Sequence, residues 1–271
     1  MSPDSAARDA LICRIESNGV ARLTLNRPEV HNAFNDALIA EMTSALDALE
    51  RDTRVRAVIL SGNGKSFSAG ADLNWMRAMA GYSHAENLRD AEALGDLMHR
   101  LDSLKKPTIA LVQGPAFGGG VGLVACCDIA VAAQRASFCL SEVKLGLIPA
   151  VISPYVVAAM GPRAARRYFL TAERFSAERA MALGLVHEVV ADDGLDAAAE
   201  SLIAELLAAG PIAAQEAKDL IAAVAFRPPD AVLRRDTAER IARIRASDEG
   251  REGLTAFLEK RPPNWRDADS R

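Results

Sequence analysis

Three stretches of this chain hold residue types whose spacing has chemical meaning. The first is Ser66-Phe67-Ser68-Ala69-Gly70-Ala71-Asp72. The second is Gly114-Pro115-Ala116-Phe117-Gly118-Gly119-Gly120-Val121-Gly122. The third is Glu142, within Ser141-Glu142-Val143-Lys144-Leu145-Gly146. Glycines at a helix start expose backbone N–H groups and let a ligand approach the main chain closely. The positive end of the helix acts at the same point, so an anion forming there is stabilised. Close helix packing explains one Gly-rich turn equally well. Two such turns meeting at one edge make a two-donor oxyanion hole, and an acid beside it suits reactions at the carbon next to a thioester carbonyl.

The surrounding pattern supplies elements to position these stretches. Leu11 to Glu16 and Val20 to Asn26 read as a hairpin turning at Asn18-Gly19. Asn35 can cap a helix to about Arg51 that presents Leu38, Ile39, Met42, Leu46 and Leu49 on one face. Val55 to Ser61 and Thr108 to Gln113 are apolar strands, and each runs into one of the Gly-rich loops. Between them Ala85 to Leu104 is helical, closed by Pro107. Gly118 to Cys126 reads as a buried helix, followed by short strands at Asp128 to Ala133 and Ser137 to Leu140. Helices follow at Ser153 to Met160, Pro162 to Leu170 and Ser176 to Leu183, then a strand at Leu185 to Val190. From Leu195 to Lys260 the chain is helical, with breaks at Pro211 and Pro228-Pro229. This order gives an α/β core over residues 1–194 and a helical C-terminal module over 195–271.

Composition removes several function classes. With 271 residues, half of them hydrophobic, and a net charge of -4, the chain has the balance of a soluble globular protein and gives no sign of nucleic-acid binding. Cys13, Cys126, Cys127 and Cys139 show no C-x-x-C spacing, so no zinc or redox motif is expected. They read as reduced core residues of a cytoplasmic protein. Met1 to Ala10 lacks the apolar stretch of a signal peptide, and no apolar run reaches the length of a membrane span.

Two motifs are false friends. Gly62-Asn63-Gly64-Lys65-Ser66 ends like a phosphate-binding loop, but Ile59 stands where its first glycine belongs. Gly120-Val121-Gly122-Leu123-Val124-Ala125 fits a relaxed dinucleotide pattern with Glu142 about twenty residues on. That pattern lies mid-chain behind a longer glycine run, and a lone fingerprint of this kind is weak. A dinucleotide oxidoreductase would bind nicotinamide in a fluorescence titration. No G-x-S-x-G elbow is present, which disfavours a serine hydrolase.

The chain resembles the crotonase, or enoyl-CoA hydratase/isomerase, superfamily. The matching stretches are Asn26-Arg27-Pro28, Asn32-Ala33-Phe34, Gly64 to Asp72, Gly114 to Gly120, Cys127-Asp128-Ile129, Glu142 to Pro149 and Phe257 to Pro263. They cover nearly the whole chain in order. The resemblance implies a spiral of ββα units, a C-terminal trimerisation module, and a homotrimer or a homohexamer of two trimers. It places Ala71 and Gly119 as oxyanion-hole donors and Glu142 on the second of two hydratase glutamates. Lys65, Ser66, Phe67 and Ala69 fall in the segment that holds the CoA adenine. Phe257 and Lys260 match residues that reach the CoA of a neighbouring subunit. No metal and no separate cofactor are implied, since CoA is part of the acyl-CoA thioester substrate.

One departure bears on the reaction. The other hydratase glutamate lies three residues after Gly119, and Gly122 stands there instead. A lone Glu142 suits Δ3,Δ2-enoyl-CoA isomerisation. The run from Phe138 to Tyr155, however, looks like bacterial methylglutaconyl-CoA and related branched-chain enoyl-CoA hydratases. Hydration is therefore the leading expectation, isomerisation the second, and a CoA-binding scaffold without catalysis the third. Met76, Met79, Val151, Ile152 and Tyr155 are expected to shape the acyl pocket.

Overall fold

Strands β1 (Leu11–Ile15) and β2 (Val20–Leu25) form the expected antiparallel hairpin, in a computed structural model that describes residues 9–266. Most of the Met1 to Ala10 stretch lies outside the described residues. Next come β3 (Ala57–Gly62), β4 (Thr108–Val112), β6 (Ile129–Ala133) and β9 (Glu188–Val190), which complete a sheet ordered β1-β2-β3-β4-β6-β9. Within this sheet every pairing beyond the hairpin is parallel. A second sheet holds three short strands, β5 (Ala116–Phe117), β7 (Ser137–Cys139) and β8 (Phe175–Ser176).

The central strands read as continuous apolar runs because both faces of the sheet are covered. Val58, Leu60, Ala110 and Val112 face the main core. That core also contains α1 (Asp36–Arg51), α3 (His84–Ser103) and α4 (Gly119–Cys126). Ile59, Ile109, Leu111 and Val131 face the other way, onto Ala199 and Ile203 of α7 (Leu195–Ala208). The expected division after residue 194 thus falls just before a helix that covers one face of the sheet.

Helix α1 has the expected cap, with the Asn35 side chain accepting from Leu38 N at 2.9 Å, and all five expected core residues are buried. The region expected as helices at 153–160 and 162–170 is α5 (Ser153–Thr171), interrupted at Gly161 by a left-handed φ of 76°. Helix α6 (Ala177–Ala182) follows, and α8 (Pro211–Val224), α9 (Ala231–Ala246) and α10 (Asp248–Glu259) complete the C-terminal module. Pro211 opens α8, and Pro228-Pro229 separates α8 from α9, as the sequence suggests.

Two expectations need correction. The Ser61 to Asp72 loop is followed by a helix not anticipated from the sequence, α2 (Leu73–Met79), capped by Asp72. Cys13 is exposed, because β1 is an edge strand whose Leu11 end alone enters the core; Cys126, Cys127 and Cys139 are buried, and all four thiols are free.

Candidate active site

The sheet order explains why the three chemical stretches meet. The first loop leaves β3, the second leaves β4, and Glu142 follows β7 after β6. Since β3, β4 and β6 are successive parallel neighbours, their carboxyl ends lie side by side. Two isolated bridges join the loops to one another and to the chain before α1: Ser68 with Ala116, and Phe34 with Ala71.

The second bridge orients Ala71. Phe34 N donates to Gly70 O at 2.6 Å, and Asp72 N donates to Phe34 O at 2.8 Å. In parallel pairing this turns the N–H of the intervening residue, Ala71, to the opposite side. Gly119 is the first residue of α4, where helix N–H groups have no intrahelical acceptor. The N–H of Gly118 before it is used, donating to Cys139 O at 2.9 Å. The loops abut at their glycines: a Cβ on Gly70 would lie 3.0 Å from Phe117 O, and a Cβ on Gly119 would lie 3.1 Å from the Phe34 ring. Phe34 therefore holds Ala71 by its backbone and supports Gly119 by its side chain.

Glu142 begins a short 3-10 turn, Glu142–Leu145, and its carboxyl lies against Gly118. A Cβ at Gly118 would stand 3.2 Å from Glu142 Oε1. Gly118 also has φ 50° and ψ -120°, which side-chain-bearing residues avoid, so its backbone calls for glycine and the carboxyl leaves a Cβ little room. The Glu142 Oε2 is buried and makes no hydrogen bond among the described residues. Burial pushes this carboxyl above its ordinary range, with a smaller opposing effect from its own backbone N–H.

The first loop is tied down by polar side chains. Asn32 accepts from Arg27 N and donates to Asn63 O and Ser66 O, each within 2.8–2.9 Å. Gln113 Nε2 donates to Gly62 O at 2.6 Å and Ser66 O at 2.9 Å. Asp72 pairs with Arg27 at 2.9 Å and caps α2 through Asn74 N at 2.8 Å. Burial works against the Asp72 charge, but the Asn74 amide and the Arg27 guanidinium outweigh it and hold the carboxyl below its ordinary range. None of these four polar residues was assigned a role by sequence reasoning, although Arg27, Asn32 and Asp72 sit in the motifs that carried the resemblance.

The remaining expected site residues divide by exposure. Lys65 is exposed and Ala69 half-buried, whereas Ser66 and Phe67 are buried. Ser66 Oγ lies 3.0 Å from His31 Nδ1, and Phe67 N donates to Pro115 O at 3.0 Å. Those two side chains shape the loop, leaving Lys65 and Ala69 on its accessible side. Phe257 and Lys260 stand exposed at the end of α10, a helix packed mainly on α8 and α9. The structure groups Ala71, Gly119 and Glu142, then, but does not bring Phe257 and Lys260 to them.

A family model described as enoyl-CoA hydratase/isomerase matches residues 15–268. The chain belongs to the enoyl-CoA hydratase/isomerase family. An enoyl-CoA hydratase from Shewanella pealeana superimposes with a TM-score of 0.92 at 53% identity, over 94% of this chain and 96% of that one. The 2,3-dehydroadipyl-CoA hydratase of Escherichia coli is 34% identical over 91% of this chain and 95% of its own length. The crotonyl-CoA hydratase of Syntrophomonas wolfei is 34% identical over 91% of this chain and 94% of its own length. The crotonase-like α/β fold with its C-terminal helices is thus that of a family of acyl-CoA enzymes.

Proposed function

We propose that this member of the family is an enoyl-CoA hydratase that adds water across the 2,3-double bond of an enoyl-CoA thioester. The observation that carries the reading is the buried Glu142 carboxyl seated on Gly118, beside the first N–H of α4. The names of its relatives support hydration as the reaction.

In this reading the thioester oxygen accepts hydrogen bonds from Ala71 N and Gly119 N. Water oxygen bonds to the β-carbon, the double-bond electrons move onto the carbonyl oxygen as an enolate, and the two amides stabilise it. Glu142 gives a proton to the α-carbon and regains one from the added water, so one water is consumed. A carboxyl kept above its ordinary range by burial retains that proton closer to neutral pH. CoA is part of the substrate, with Lys65 and Ala69 offered to it by the first loop. The likeness of the Phe138 to Tyr155 run supports a branched, methylglutaconyl-CoA-like acyl group.

A second reading, Δ3,Δ2-enoyl-CoA isomerisation, is favoured by one observation: a Cβ at Gly122 would lie 2.3 Å from Ile152 Cγ2, so a single carboxyl serves the site. Absorbance at the conjugated-thioester band distinguishes the two. Loss of the band with crotonyl-CoA or 3-methylglutaconyl-CoA is the expected result, and the faster of the two identifies the branch. No loss with either, and a gain with a 3-enoyl-CoA, makes the enzyme an isomerase.

The proposal includes assembly into trimers or hexamers. Leu254, Phe257 and Leu258 of α10 are 55–81% exposed, a concentration of apolar surface that association would cover. Phe257 and Lys260 would then serve a neighbour's CoA. A cytoplasmic location is part of the same reading, supported by the four free thiols. No single helix among the described residues is long and apolar enough to cross a membrane.

A further inference from the structure

Helix α4 receives a side chain at each of two successive turns. At Gly118 it is Glu142; at Gly122 it is Ile152, with Met98 alongside. Gly122 N donates to Gly118 O at 3.3 Å, so the two positions stand one turn apart, with residues at this spacing about 5–6 Å from one another. The chain between them leaves at Glu142, makes a turn closed by Leu147 N donating to Glu142 O at 3.1 Å, and returns with Ile152 at the start of α5. A Cβ on Gly122 would meet Ile152 Cγ2 at 2.3 Å, Ile152 Cβ at 2.9 Å and Met98 Sδ at 3.2 Å. Ile152 is only 2% exposed, and Met98 is fully buried with its sulfur 3.8 Å from Cys126 Sγ. The place next to Glu142 on this helix is therefore packed with hydrocarbon and sulfur, and no side chain fits at residue 122.

We propose that Ile152 is a specificity-determining residue that makes this a one-carboxyl site: it fills the position on α4 from which a second acidic side chain would reach the substrate beside Glu142. The inference rests on Glu142 being the site's acid. Two carboxyls divide the acceptance of a proton from water and its delivery to carbon. A single carboxyl must do both in turn, which limits turnover of a plain 2-enoyl-CoA. Glycine at 122 and isoleucine at 152 are one device, since neither tolerates a larger partner.

The test joins a stability cycle to an activity measurement. Gly122→Ala should lower Tm clearly in the natural background and far less in an Ile152→Ala background, where the clash is gone. An equal loss in both backgrounds overturns the proposal. The pair Gly122→Glu with Ile152→Ala should hydrate crotonyl-CoA at least tenfold faster than Ile152→Ala alone, because a positioned proton-transfer group contributes about 10²–10⁴-fold. Its pH–rate profile should gain a second ionisation. A folded pair with neither change overturns the proposal, as does the same gain from Ile152→Ala alone. Should that pair not fold, Gly122→Asp with Ile152→Ala is judged by the same criterion and the Tm cycle stands by itself. Glu142→Gln in the Ile152→Ala background separates the two readings: retained turnover there refutes the acid assignment, while the Tm cycle is unaffected by it.

Discussion

At the scale of single residues, Glu142 links function to stability through its burial. Its carboxyl is held above the ordinary range in the folded chain, so between the ordinary and the raised value the folded state binds more protons than the unfolded one. Stability is then fully present below the ordinary carboxylate value and is lost as pH rises through the raised one. A tenfold weakening of the acid corresponds to about 1.4 kcal/mol. Glu142→Gln does not titrate, so we expect it to be more stable than the natural protein at neutral pH and equal to it in acid. Thermal melts across that range check this, and equal Tm values at neutral pH would show that the site does not strain the carboxyl. Glu142 stood out by residue type beside the two Gly-rich stretches, and the family resemblance pointed to Ala71 and Gly119 within them. The occupant of the space at Gly122 was not legible, because Ile152 reaches it from thirty residues away in the chain.

At the scale of elements, the Ala71 loop depends on a clamp. Gly70 and Asp72 are both bonded to Phe34, and Arg27 spans the loop by pairing with Asp72 while donating to Ala33 O at 2.6 Å. Removing the partner of a hydrogen-bonded charged group costs about 1.5–3 kcal/mol, and Asp72 would keep its Asn74 amide while losing the guanidinium. Arg27→Met is therefore expected to lose stability of that order in urea unfolding and to lower kcat as Ala71 shifts. The depressed Asp72 carboxyl gives stability that is present above its ordinary value and lost as pH falls through the depressed one. In Arg27→Met that acid-dependent loss should be smaller and complete at higher pH. An unchanged kcat in a folded variant would release Ala71 from its assigned role. Helices α1 and α3 were legible because their caps and apolar spacing are local. Helix α2 was not: it is seven residues long and buries only Trp75. Strands β5 and β8, two residues each, exist by pairing with β7 and leave no periodic pattern in the sequence.

At the scale of the molecule, the C-terminal helices are joined to the α/β core by packing and by charge. Helix α7 covers the far face of the sheet, and Lys218 of α8 reaches Asp128 at 2.8 Å. The same Asp128 carboxylate accepts from Thr108 N at 2.8 Å and Thr108 Oγ1 at 2.9 Å, fixing the starts of β4 and β6 relative to each other. Lys218→Met should cost about 1.5–3 kcal/mol, the range for a hydrogen bond to a charged group, with little effect on kcat. A large loss of kcat at unchanged stability would contradict this purely structural role. The proposed association is tested at this scale too: Phe257→Asp should shift the mass in light scattering toward the monomer, and an unchanged mass would remove α10 from the proposed contact. The α/β core and helical tail were legible from element order. The meeting of the three loops was not fixed by any local pattern. It follows from β3, β4 and β6 lying side by side, which long-range pairing decides.

The most direct test of the mechanism compares the natural enzyme with Glu142→Gln for water addition to the faster of crotonyl-CoA and 3-methylglutaconyl-CoA, followed at the thioester band. Positioned proton transfer is usually worth about 10²–10⁴-fold, so turnover should fall by that factor while substrate binding is retained. A folded Glu142→Gln enzyme that keeps more than about a tenth of the turnover would contradict the assignment of the acid, and with it the mechanism.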